Sequence, residues 1–115
     1  MKKIIGCIFI LLLSLSCFGQ LPKSGTYIYK FCEDEFGKCI QKCKVVIKGK
    51  NIAVYALQGL SVKKGTIIEK GIIMKHKSGV WIIGRKKSDT LIREIGGCSD
   101  GPRIINFKKK EYHTC

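Results

Sequence analysis

The sequence predicts an all-β fold: a small antiparallel meander of about seven or eight short strands, closed as a barrel or stacked as a sandwich. Three observations carry this. Apolar residues recur at every second position in short runs, the period of a half-buried strand. Turn signals such as Gly49-Lys50, Ser78-Gly79 and Asp100-Gly101 separate those runs. After residue 20 no stretch sustains a helical apolar period long enough for a long helix. Many short strands divided by turns are the mark of a barrel or sandwich.

The chain opens differently. Lys2 and Lys3 are a basic start, and Ile4 to Leu13 is an apolar run too short to span a bilayer. Cys17 and Gly19 are small residues placed three and one before Gln20. This is the pattern of a secretory signal peptide over residues 1–19. Residues 20–115 are then expected to form a single disulfide-stapled β domain, secreted or periplasmic, with no transmembrane segment. A lipoprotein anchored at Cys17 is the alternative. It would favour Leu three places before the cysteine, where Ser14 stands.

The elements follow in order. Residues 26–31 alternate, with Tyr27, Tyr29 and Phe31 on one face. Residues 43–48 and 51–57 flank Gly49-Lys50 as a tight hairpin. Residues 66–76 and 80–84 flank Ser78-Gly79 as another, and Gly71 suggests a bulge in the first of them. A two-residue loop at Ser78-Gly79 sets His76 opposite Trp81 and Met74 opposite Ile83. That register puts Ile72, Met74, Trp81 and Ile83 on the core face, with Trp81, Met74 and Ile83 as anchors. Residues 88–95 read either as a short helical turn capped by Asp89 and ended by Gly96-Gly97, or as another strand. Residues 103–107 and 111–114 form a last pair around Lys109.

Beyond the signal region the cysteines are Cys32, Cys39, Cys43, Cys98 and Cys115, an odd number. At most two bridges form. The expectation is Cys98–Cys115, stapling the terminal strands, plus a bridge from Cys32 to Cys39 or Cys43. The remaining thiol is free or intermolecular. A zinc site needs a second ligand pair, and the spacing of Cys39 and Cys43 has none nearby, so no metal is expected. With no C-x-x-C, redox catalysis has no motif. No cofactor is expected.

The chain has 22 Lys and Arg against 8 Asp and Glu. Without Lys2 and Lys3, 20 basic residues remain and the net charge is +12. Such a field draws anionic surfaces, and it also keeps a small protein soluble. Lys42, Lys44, Lys48 and Lys50 recur at even spacing on one face of the second strand. That stripe is either a polyanion site or a solvated edge blunted by lysine. Lys63-Lys64, Arg85-Lys86-Lys87 and Lys108-Lys109-Lys110 fall at turns, and gathered at one end they would make a positive rim. Glu33-Asp34-Glu35 is the one acidic cluster. Three adjacent carboxylates lack the spaced oxygens a Ca²⁺ site needs.

No nucleophile elbow, zinc-protease helix, phosphate loop or dinucleotide fingerprint is present. His76 and His113 are single histidines in strands, read as half-buried polar residues. The aromatic residues belong to the core pattern and do not interleave with the lysines, which argues against nucleic acid. The expectation is therefore not an enzyme but a small binding or interaction module for an unknown protein or small ligand. The alternative is a basic surface protein that binds a polyanion, such as lipopolysaccharide, an acidic polysaccharide or a lipid head group. A hollow barrel would favour the first reading. A filled one with a continuous basic face would favour the second.

Overall fold

The computed structural model describes residues 21–115. The expected signal peptide and Cys17 lie outside the described residues. Seven strands form a closed barrel in chain order: β1 (Gly25–Glu33), β2 (Lys38–Lys48), β3 (Asn51–Ala56), β4 (Ile67–Lys75), β5 (Trp81–Gly84), β6 (Arg103–Asn106) and β7 (Glu111–Thr114). Six neighbouring pairs are antiparallel. Because the count is odd, the closing pair is parallel, with Lys30 opposite Glu111 and Phe31 opposite Tyr112. This closure departs from a purely antiparallel meander.

The alternation seen in the sequence sets the two faces of β1 to β3. Tyr29, Cys43, Val45, Ile47, Ile52 and Val54 point inward and are at most 2% exposed. Ile73, Ile83, Ile105 and Tyr112 complete the cluster, with Tyr27, Phe31, Trp81 and Phe107 packed against it. Side chains of this size fill so narrow a barrel. The β2–β3 turn forms at Gly49-Lys50 as expected. Gly49 takes φ +62°, which glycine adopts without steric cost, and its N–H donates to Ser24 Oγ at 2.9 Å.

The β4–β5 hairpin corrects the expected register by one residue. Lys75 lies opposite Trp81, Met74 opposite Ile82 and Ile73 opposite Ile83. A slip of one flips every side chain to the other face. Here β4 is the strand that turns over: Ile73 enters the core beside Ile83, which keeps its expected core place, whereas Ile72 is exposed and Met74 leaves the core face. His76 explains the difference, because its side chain builds a longer loop. The Ser78 N–H donates to Nδ1 at 3.1 Å, and Nε2 meets the Ile92 carbonyl at 2.6 Å. The His76 N–H donates to Val80 O, so residues 76–80 all belong to the loop. Trp81 is a half-buried residue near one barrel end, edge-on to Phe107 at 5.9 Å. The bulge expected at Gly71 sits earlier, where the pairing shifts between Tyr55–Ile67 and Val54–Glu69.

The ambiguous stretch is a 3₁₀ turn over Lys87–Leu91. Asp89 is buried, and its carboxylate accepts the Arg85 and Lys86 N–H groups at 2.7 and 3.2 Å. Those bonds favour the charged form and hold its pKa below the usual carboxylate range. The turn packs on β4 and β5, and Ile82, on the outer side of β5, is fully buried.

Both disulfides gather at one end of the barrel. Cys98 bridges Cys115, as expected. Cys32 bridges Cys39 across the β1–β2 turn, leaving Cys43 as a free, buried thiol. Cys43 lies wholly inside the core, and burial pushes its pKa up to about 12.

Candidate functional site on the outer sheet face

The core cluster occupies the barrel interior, which leaves the outer surface of β1 to β4 as the place for a site. Cross-strand register arranges it in rows. Lys30 lies opposite Lys42. Ile28, Lys44, Tyr55 and Ile67 form a second row, and Thr26, Val46, Ala53 and Lys70 a third. Lys48, Asn51 and Ile72 form a fourth. Lys42, Lys44 and Lys48 thus share one outer face. Lys50 does not join them on the strand; it sits in the turn beyond its end.

Apolar and basic groups are interleaved here. Ile28 is 52% exposed, Ile67 52% and Ile72 36%. The Lys44 ammonium lies 4.9 Å from the centre of the Tyr55 ring, a cation–π contact that steadies both side chains. The outer faces of β2, β3 and β4 carry no carboxylate among the described residues. Glu69, the one acid of β4, points inward opposite Val54, within 3.5 Å of the Tyr112 hydroxyl.

A small side chain makes this surface concave. Ala53 stands between Val46 and Lys70 and leaves a dip between the larger side chains around it. The result is a groove of about 590 Å³ floored by Val46, Ala53, Tyr55 and Ile72, with Lys48, Lys70 and Arg85 at its rim. Sequence reasoning missed Lys70, Arg85, Tyr55 and Ile72 as parts of this surface. A signal existed: Lys70 and Ile72 share a face in any strand, so placing Ile72 in the core would have buried a lysine beside it.

The basic clusters at the turns scatter. Lys63-Lys64 and Arg85-Lys86-Lys87 lie in connections at one barrel end, whereas Lys108-Lys109-Lys110 lie in the β6–β7 turn at the other. The single positive rim does not form.

The histidines are occupied. His113 Nδ1 lies 2.8 Å from Asp34 Oδ1 and its Nε2 3.1 Å from Glu111 Oε1. Both ring nitrogens are engaged, so neither is free to accept a substrate proton. Among the described residues, two clusters have metal-ligand proximity, Cys32–Glu111–His113 and Glu35–Cys98–Cys115, and each draws on disulfide sulfur, which is not a thiolate ligand.

Glu69 is the other notable group. It lies 3.9 Å from both Arg85 and Arg103. Burial raises its pKa despite the two guanidinium groups, which pull the other way. Burial raises the Tyr112 hydroxyl as well.

Among the described residues no helix is long and apolar enough to cross a membrane. The chain matches no family model, no curated protein and no solved structure.

Proposed function

We propose that this protein is a secreted or periplasmic binding module without catalytic activity, and that it takes a polyanion on the outer face of β2 to β4. The observation that carries this reading is the charge layout. Lys42, Lys44, Lys48 and Lys70 project from a sheet face that bears no carboxylate among the described residues, with Arg85 at its border. Opposite charges placed among them would have neutralised the field; their absence leaves it intact. The filled interior supports a surface site over a ligand held inside the barrel. The engaged histidines support the non-catalytic part of the reading.

Heparin and lipopolysaccharide binding, measured across a salt series, tests it. Affinity should fall steeply with salt as counterions are released; for nucleic acid the log–log slope is about −0.9 per phosphate neutralised. Replacing Lys42, Lys44, Lys48 and Lys70 with Gln should flatten that slope. A control changes Lys63, Lys64, Lys109 and Lys110, which lie off the face. Equal weakening by both sets would reduce the effect to net charge and remove the site.

A further inference from the structure

A surface built only for a soluble polyanion has no use for exposed isoleucines between its lysines. Exposed apolar residues are common singly, but here they are grouped. Ile67 and Ile72 on β4 lie on the outer surface with Lys70, and Ile40, 79% exposed, lies outward on β2 with Lys44 and Lys48. Between the basic rim residues Lys48, Lys70 and Arg85 the groove floor is apolar, made by Val46, Ala53, Tyr55 and Ile72.

We infer that this face docks on an anionic lipid surface, the lysines and Arg85 meeting head groups while the isoleucines and the groove floor take the acyl boundary. The inference rests on the reading of this face as the binding surface and goes further by naming the partner. Three physical points support it. Charge complementarity selects anionic lipid, because Lys and Arg near such a surface are drawn to its negative potential. Lysine and arginine stems lie along apolar surface while the charged ends stay in water, which suits side chains set beside isoleucine. A β-branched or aromatic side chain at the head-group boundary gains from burial that a hydrated polysaccharide cannot supply.

The test compares three probes: phosphatidylcholine vesicles, vesicles of phosphatidylcholine with phosphatidylglycerol, and heparin. The variant Ile40→Thr/Ile67→Thr/Ile72→Thr keeps net charge and β-branching. Unmodified protein should sediment with the anionic vesicles and not with phosphatidylcholine alone. The triple variant should lose at least about tenfold in vesicle affinity, equivalent to about 1.4 kcal/mol, and keep its heparin affinity within about twofold. Circular dichroism checks its fold, and the single variant Ile72→Thr serves in its place should the triple variant unfold. Vesicle binding unchanged by the substitution overturns the inference, since charge alone then suffices. Heparin binding without vesicle binding also overturns it and leaves the polyanion reading standing. Binding to neither overturns that reading itself.

Discussion

Gly71→Ala tests how tightly the barrel wall behind the groove is closed. A Cβ built on Gly71 would stand 2.6 Å from the Gly84 carbonyl oxygen and 2.9 Å from Ile83 Cγ2. The first of these is backbone, so no rotamer change relieves it; β4 and β5 must move apart. Overpacking of this kind costs about 1–3 kcal/mol, and a clash with backbone belongs at the upper end. Removing a glycine also restricts the unfolded chain, which offsets about 0.5 kcal/mol. The expected net loss is about 2.5 kcal/mol. Urea unfolding read by Trp81 fluorescence measures it; for a small domain with a slope of about 1.5 kcal/mol/M, the midpoint should fall by about 1.7 M. Gly25→Ala is the matched control. Its nearest atoms, on the Tyr27 ring, are 3.7 Å away or more, an ordinary contact. That variant should stay within about 0.5 kcal/mol of the parent. A Gly71→Ala protein as stable as Gly25→Ala would refute the close approach of β4 and β5.

Three other outcomes are expected. Breaking Cys98–Cys115 by paired Ser substitutions should cost about 3 kcal/mol and breaking Cys32–Cys39 about 2 kcal/mol, because their sequence separations are 17 and 7; paired denaturation curves giving the reverse order would contradict the loop argument. Cys43 should resist alkylation in the native protein and react once denaturant is added, since the thiol is buried and its pKa is pushed up to about 12; peptide mass mapping locates the adduct. Glu69 has a raised folded pKa, so the folded state holds its proton longer, and stability declines as pH rises from about 4.5 through that raised value. The urea midpoint of Glu69→Gln relative to the parent should therefore increase between about pH 4 and pH 7, and a pH-independent difference would count against the buried carboxylate.

Much of the barrel was legible because β1, β2 and β3 alternate cleanly and each has one wet face. The turn at Gly49-Lys50 and the Cys98–Cys115 bridge were readable for local reasons: a glycine where φ must be positive, and a lone cysteine in a turn-rich loop with one partner near the terminus. The β4–β5 register was not, because it depends on His76 reaching Ile92, a contact sixteen residues away that no local rule anticipates. The same error turned Ile72 inward and concealed the apolar part of the outer surface. Ile82 misled in the opposite way. Alternation sets it outward, yet the 3₁₀ turn after β5 makes a second, smaller interior around it. Of the lysine stripe, the strand positions Lys42, Lys44 and Lys48 followed from periodicity alone. Lys70 and Arg85 required knowing which strands become neighbours.

The parallel seam between β1 and β7 has a consequence for how the chain reaches its native state. Every other pairing joins strands adjacent in sequence, whereas this one joins residues 30–33 to residues 111–114. Contacts so remote in the chain are slow to form, because loop-closure entropy is lost before they repay it. Until β7 arrives, β1 presents an unpaired edge, a template for pairing with another molecule. Lys30 lies on that edge, and its charge opposes such association. Aggregation during refolding should therefore depend on protein concentration far more than the stability of the finished barrel does.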